Sequence, residues 1–298
     1  MKLAVVIATT GRPHEAGQAA RDLLRQTRLP DRVILSTAHP YDVDLHAISG
    51  IGLAVEIVMG RKGLTLQRNA ALDLLAHENV VVFLDDDFVM ADDWLEQAVS
   101  LFQRNDSIMI ATGRVLADGI GGAGLSREDA RAVIDADTSR ASGLAEVNNG
   151  YGCNMVVRLA PVQRYRIRFD PNLPYYGWLE DVDFSRRLAT HGRCVRVEAM
   201  RGVHLGVKGG RTSGVRLGYS QVANPIYLMQ RSTMRPGHAL KMISRNMMAN
   251  IARSLRPEPW VNRRGRLKGN MMAVLDLATG RLHPQRITTL ETGPNAQS

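Results

Sequence analysis

Three adjacent aspartates, Asp85-Asp86-Asp87, stand directly after the apolar run Val80-Val81-Val82-Phe83-Leu84. Carboxylates so close repel one another, and something positive should compensate them. A hard divalent cation suits carboxylate oxygens and a diphosphate together. The plainer reading is a solvated acidic turn ahead of the helix near Asp92-Asp93. An isolated Asp pair would be read that way. Three Asp ending a β-branched run favour the cation.

Two further stretches hold residue types that do chemistry. In Gly177-Trp178-Leu179-Glu180-Asp181-Val182-Asp183, two carboxylates open a helix after a Gly-containing loop. Acidic residues suit a helix N-terminus because of its dipole, so simple capping is one reading. The other is a general base that takes the proton of an attacking hydroxyl. The third stretch is Val203-His204-Leu205-Gly206, followed by Lys208, Arg211, Thr212 and Ser213 in a glycine-rich segment. Such a segment supplies cations and hydroxyl donors to a diphosphate. Its plain reading is a structural His and a solvated basic loop.

The elements that would position these residues alternate between strand and helix. Leu3–Ala8, Val33–Leu35, Ala54–Val58, Val80–Leu84 and Ile108–Ala111 read as strands. Glu15–Thr27, Leu66–Leu75 and Trp94–Phe102 read as helices. This alternation predicts an α/β fold, a mostly parallel sheet with helices on both faces. Ligands of such sheets bind beyond the carboxyl ends of the strands, where Thr9-Thr10-Gly11-Arg12 and the Asp triplet both fall. The middle is less regular: a short helix over Glu128–Ala136, a strand over Tyr151–Val157, a helix over Glu180–Thr190 and a strand near Cys194–Val197.

Composition and spacing bound the rest. The 298 residues suit one large domain, or one with an appendage. The net charge of +9 is uneven: residues 211 to 298 hold 14 Lys/Arg and 3 Asp/Glu, whereas the preceding 210 hold 24 and 26. Anionic partners are therefore expected at the C-terminal part. Cys153 and Cys194 lack metal-ligand spacing, and reduced thiols in a cytosolic protein are expected. The N-terminal apolar run is too short for a signal peptide and is cut off by Gly11-Arg12-Pro13, so it reads as a buried strand. No stretch approaches the roughly 20 apolar residues that span a bilayer. No G-x-G-x-x-G, G-x-x-x-x-G-K-[ST] or G-x-S-x-G motif is present.

With these signals in this order, the chain resembles the family-2 inverting glycosyltransferases of the GT-A fold over roughly residues 1 to 215. V-V-I-A-T-T-G-R-P resembles the family's opening strand and donor loop, and G-L-T-L-Q-R-N-A-A-L its Arg-Asn stretch before a helix. F-L-D-D-D resembles its D-x-D metal motif and W-L-E-D-V-D-F its acceptor motif. The resemblance implies nucleotide-sugar binding in 1–112 and acceptor binding in 113–215, and residues 216–298 read as a helical, basic extension. It places Asp85 and Asp86 on the donor, and Asp87, with His204 and Asp85, on Mn²⁺ or Mg²⁺. Thr9, Arg12, Ser36, Arg68, Lys208 and Arg211 would line the donor site. Asp181 would be the catalytic base, with Trp178, Glu180 and Asn154 toward the acceptor. Many relatives carry a base-reading carboxylate after the second strand, where this chain has Ser36. The donor is thus a UDP, GDP or dTDP sugar, with UDP the least supported. The implied acceptor is a glycan or lipid-linked glycan, in polysaccharide synthesis of the exopolysaccharide kind.

In the basic C-terminal part, Leu240, Ile243, Met247, Met248, Ile251 and Leu255 share one helical face, and Lys241, Arg245, Arg253 and Arg256 the opposite one. Such a helix suits an anionic membrane surface or packs as an ordinary amphipathic helix. The expected location is cytoplasmic, with peripheral contact at the inner membrane. Two other functions fit the sequence less well. A sugar nucleotidyltransferase usually opens with a glycine-rich loop, and only Gly11 stands there. A nucleic-acid-binding protein would interleave aromatic and basic residues, but aromatic content is 5%.

Overall fold

The computed structural model of the chain describes residues 1–139, 143–209 and 213–290. The elements run β1 (Leu3–Thr9), α1 (Pro13–Asp22), β2 (Arg32–Thr37), α2 (Leu45–Ile48), β3 (Val55–Met59), α3 (Leu64–Leu72), β4 (Val80–Asp85), β5 (Phe88–Met90), α4 (Trp94–Arg104) and β6 (Ile108–Asp118). They continue with α5 (Arg127–Ala136), β7 (Leu144–Glu146), β8 (Asn154–Arg158), α6 (Leu159–Arg164), α7 (Glu180–Leu188), β9 (Arg193–His204), α8 (Gly214–Gln230), α9 (Pro236–Ser254) and α10 (Arg263–Ala278). The chain divides into two compact units, 1–169 with 184–210, and 170–183 with 211–298.

The first unit is built on one mixed sheet in the order β3-β2-β1-β4-β8-β6-β9-β5, with β7 paired to β9. The first four strands of that order are parallel. Strand β8 runs antiparallel to both β4 and β6, and β6 and β9 are parallel again. The central strands β1 and β4 are apolar along nearly their whole length because both sheet faces are covered there. Val5, Ile7, Val33, Leu35, Val80 and Val82 fill the core on one face, while Val6, Ile34, Val81 and Phe83 fill the core on the other. Successive side chains of an extended strand point to opposite faces, so an uninterrupted apolar run serves two cores at once.

Several elements differ from the sequence expectation. Pro13 at the first helical position starts α1 early, and the helix tightens into a 3₁₀ turn at Leu23–Arg25. Helix α3 spans Leu64–Leu72, starting two residues before and ending three residues before the expected Leu66–Leu75. Strand β6 runs on to Asp118 and β9 to His204, well past their apolar starts, because they pair with each other along most of their length. Strand β5 has only three residues and no periodicity of its own; it exists because it pairs with the end of β9.

The second unit is helical, and its interior is part polar. Tyr219, Val222, Ala223, Ala273, Ile287 and Leu290 form one apolar cluster, and Leu173, Val182, Leu228, Met234 and Ala239 another. Between α8, α9 and α10 lies a buried amide network. Asn250 Nδ2 donates to Gln221 Oε1 and to Asn270 Oδ1, both at 2.8 Å, and Asn270 Nδ2 donates to the Gly218 carbonyl at 2.6 Å. Arg263 closes it on Asn250 Oδ1 at 3.2 Å. Glycine lets the helices meet: a Cβ on Gly218 or Gly269 would overlap the facing backbone of α10 or α8. Asn270→Ala would remove the side-chain donor to the Gly218 carbonyl and one of the two acceptors of Asn250 Nδ2 in a buried interior. It should cost about 1–3 kcal/mol in denaturant unfolding. Parental stability in this variant would mean that the network contributes nothing.

Candidate active site

The aspartate triplet sits where β4 ends. Asp85 is its last residue, and Asp86 and Asp87 form the turn into β5. Three cations answer the three carboxylates, and Arg12 serves both Asp86 and Asp87. Arg68 NH2 lies 3.1 Å from Asp85 Oδ1. Arg12 NH2 lies 2.9 Å from Asp86 Oδ1 and its NH1 3.4 Å from Asp87 Oδ2. His204 Nε2 lies 3.3 Å from Asp87 Oδ1. The positive charge demanded by the triplet is thus supplied in part by the chain itself.

His204 reaches Asp87 through strand register. Antiparallel pairing of β5 with β9 sets Phe88 opposite His204, and the Leu205 N–H donates to the Asp87 carbonyl at 2.8 Å. Parallel pairing of β6 with β9 sets Asp118 opposite His204 from the other side. Asp118 Oδ1 then holds His204 Nδ1 at 2.9 Å, and Tyr151 OH donates to Asp118 Oδ2 at 2.9 Å. A carboxylate behind one ring nitrogen fixes the tautomer and aims the other nitrogen outward, as at histidine metal ligands. One ligand atom each from Asp85, Asp87 and His204 fall within 4.8 Å of one another. Two carboxylates and an imidazole with a supported Nδ1 fit a divalent cation of the Mn²⁺ or Mg²⁺ type.

The titration of the group follows from its burial and partners. Burial pushes the His204 imidazolium toward losing its proton, but the bonds to Asp118 and Asp87 outweigh burial and hold it up at about 10. For Asp87, burial works against ionisation, and the His204 bond reverses it to about 2. Asp86 has no exposed surface, and burial lifts it to about 7 despite Arg12 and the 2.6 Å bond from Thr9 Oγ1. Without a metal, a protonated His204 stands in for the cation.

The loop after β9 closes the site. Val207 N–H donates to Asp87 Oδ2 at 2.9 Å, and Lys208 Nζ donates to the carbonyls of Gly119 and Ile120, both at 3.1 Å. Gly206 has φ +69°, and a Cβ there would overlap the Gly119 backbone, so this crossing needs glycine at Gly206.

Several expected site residues take positioning roles. Thr9 holds Asp86, and Arg68, almost wholly buried, holds Asp85 and the Gly152 carbonyl at 2.7 Å. Ser36 was expected to contact the donor. It has no exposed surface, and its hydroxyl donates to the Gln67 carbonyl at 2.8 Å, so it fastens β2 to α3 instead. Asn154 was expected toward the acceptor. It too is fully buried, and its Oδ1 accepts from Thr112 Oγ1 at 2.6 Å and Gly113 N–H at 2.8 Å, holding β8 to β6. Arg211 lies outside the described residues.

Sequence reasoning missed Asp118, Tyr151, Gln67 and Asp42. Asp42 lies beyond β2, near the place where a base-reading carboxylate was looked for. Its oxygens accept from the N–H groups of Gly11, Ala38 and His39 at 2.7–2.9 Å, so it ties the donor-side loop. The only signal for it was the His-Pro-Tyr-Asp turn, in which an Asp accepts from preceding amides.

In the second unit, Glu180 and Asp181 form the first turn of α7. The approach to them is conformationally constrained: Tyr175, Gly177 and Leu179 all have positive φ, 56°, 62° and 73°. Two of these are non-glycine residues in a sparsely populated region, a form of strain that recurs at functional loops. Asn224 Nδ2 on α8 holds the Trp178 carbonyl at 2.7 Å, and the Glu180 N–H donates to Gly177 O at 2.7 Å. Trp178 is half-buried, Asp181 partly exposed and Glu180 buried.

His204 must be neutral to offer Nε2 to a metal, so metal uptake should release about one proton at pH 7 and weaken about tenfold per pH unit as pH falls below about 10. Calorimetry with Mn²⁺ in buffers of different ionisation enthalpy measures both. Asp118→Asn should lower Mn²⁺ affinity about 10- to 100-fold. Proton-independent Mn²⁺ binding would remove His204 from the ligand set.

Comparison with known proteins identifies the fold and the family. Among solved structures, the mannosyltransferase PcManGT from Pyrobaculum calidifontis, in complex with GDP-Man and Mn²⁺, is similar at TM-score 0.56 and 15% identity, over 96% of this chain and 85% of that one. S. aureus TarS 1–349 in complex with UDP-GlcNAc is similar at 0.53 and 13%, over 94% and 93%. GalNAc-T7 with UDP, GalNAc and Mn²⁺ is similar at 0.54 and 13%, over 94% and 59%. At these identities the likeness shows the GT-A fold. No curated protein sequence matches the chain. The model of the family described as "Glycosyl transferase family 2" matches residues 4–165, more than half the chain. This chain therefore belongs to glycosyl transferase family 2 and is a glycosyltransferase.

Proposed function

We propose that the enzyme transfers a sugar, with inversion, from a nucleotide-diphosphate sugar to a glycan or lipid-linked glycan. The observation that carries this reading is the cluster of Asp85, Asp87 and His204 at the strand ends, with Asp118 behind His204. A divalent cation bound by these three residues would neutralise the leaving diphosphate. Arg12 and Lys208 add positive charge from the flanking loops, and low local dielectric strengthens that field. Asp181 takes the proton of the acceptor hydroxyl as its oxygen attacks the anomeric carbon and the carbon–oxygen bond to the diphosphate breaks. Glu180 and Trp178 orient the acceptor sugar. Solved structures of the same fold bear GDP-Man in one case and UDP-GlcNAc in another, so the fold itself does not select the base. Ser36 and Asp42 are both committed to the protein's own backbone, which leaves neither to read the N3–H that uracil and thymine share and so favours a GDP donor.

Calorimetry with UDP, GDP and dTDP, with and without Mn²⁺, tests the donor site. Metal-dependent binding is expected, and Asp87→Ala should abolish it; unchanged binding without metal would sink the assignment. Asp181→Asn should keep donor affinity while turnover with extracted glycan acceptors falls about 10²- to 10⁴-fold. Retained transfer would exclude Asp181 as the base.

A further inference from the structure

The second unit buries amides and exposes hydrocarbon. On α9, Leu240, Met248, Ile251 and Leu255 fall in one stripe at helical spacing, and each is 53–84% exposed. The helix is not awaiting a core, since its other side is already packed. Ala239 and Asn250 are buried, and Ile243 and Met247 lie against the apolar cluster of α8 and α10. The Asn250–Asn270–Gln221 network sets that rotation, so turning the stripe inward would strand buried amides. On α10, Arg264, Lys268, Met271 and Leu275 recur at helical spacing and are all exposed. The two stripes meet in a groove of about 750 Å³ lined by Leu255, Arg264, Lys268, Met271 and Leu275. Trp260, 40% exposed, sits in the connection between α9 and α10.

Charge identifies what covers this surface. Residues 236–278 carry eight Lys/Arg and two acidic residues. Glu258 is held by Arg253 and Arg263, and Asp276 is buried against Tyr219 OH. A second copy would bring like charges together across the stripe, whereas an anionic lipid surface complements them. No helix among the described residues is long and apolar enough to cross a membrane. We propose that the α9–α10 face lies on an anionic bilayer surface, with the stripe from Leu240 to Leu255 and Met271 and Leu275 in the acyl boundary and Lys241, Arg256, Arg264 and Lys268 among the headgroups. This surface goes beyond the donor chemistry, and binding to vesicles is read with no sugar present.

The full-length protein is sedimented with sucrose-loaded vesicles of phosphatidylcholine, with and without about 30% phosphatidylglycerol. Binding to the anionic vesicles that weakens with added salt is expected. The exposed triple Lys241→Glu/Arg256→Glu/Lys268→Glu should lose about 100-fold or more in partitioning. Ile251→Ser/Leu255→Ser/Met271→Ser should lose about tenfold or more. Unchanged melting and donor binding in both triples would show that the fold is intact. Absence of vesicle binding, or equal binding to neutral vesicles, would overturn the proposal. So would self-association of the parent that the Ser triple abolishes, since that would assign the stripe to a second copy.

Discussion

Three adjacent carboxylates at the end of one buried strand are the constraint on which the first unit depends. Each must be compensated, and one segment cannot supply three cations. Asp85 meets Arg68 from α3, Asp86 meets Arg12 from the loop after β1, and Asp87 meets His204 from the end of β9. The triplet therefore recruits pieces of chain from across the first unit. Phe83, directly under the turn, carries Arg68 over its ring at 5.5 Å, so the cation is held by core packing as well as by charge. The three pairs are not equivalent. Asp86 is fully enclosed, whereas Asp85 and Asp87 share a side with His204, in a group that could hold a metal.

His204 links architecture to chemistry. Its register is decided by two neighbours, β5 on one side and β6 on the other, and the same register delivers Asp118 behind it. A proton on His204 and a divalent cation are alternative ways of satisfying Asp87. Binding a metal there would exchange one positive charge for another, a linkage typical of histidine ligands. The second unit solves a different problem, with amides fixing the rotation of its helices and hydrocarbon left outward.

Much of the first unit was legible because strong local patterns and tertiary outcome agree. Val80–Leu84 is a strand by its residue types and ends where three Asp make further burial costly, and the structure extends it by one residue. The alternation of strand and helix implied the parallel half of the sheet. What failed was whatever depends on pairing. Strand β5 has too few residues to show a period, and the long tails of β6 and β9 carry charged residues that only mutual pairing makes extended. Ser36 and Asn154 have side chains that suit ligand contact, but side-chain type carries no information about which way a strand faces. Asp118 and Asp42 looked like ordinary loop-flanking acids, because His204 and Gly11, which they hold, lie 86 and 31 residues away.

The sequence by itself determined the α/β class, the acidic turn at a strand end, the acidic start of α7 and the basic, amphipathic character of the C-terminal helices. These are local properties, set by residue type and period over a few turns or one strand. Tertiary structure alone decided which cation answers each aspartate, that Asp118 supports His204, and which side of α9 is buried. Each of those depends on register between distant segments. In α9 the helical wheel showed an apolar face, but buried Asn250 determined that part of that face points out.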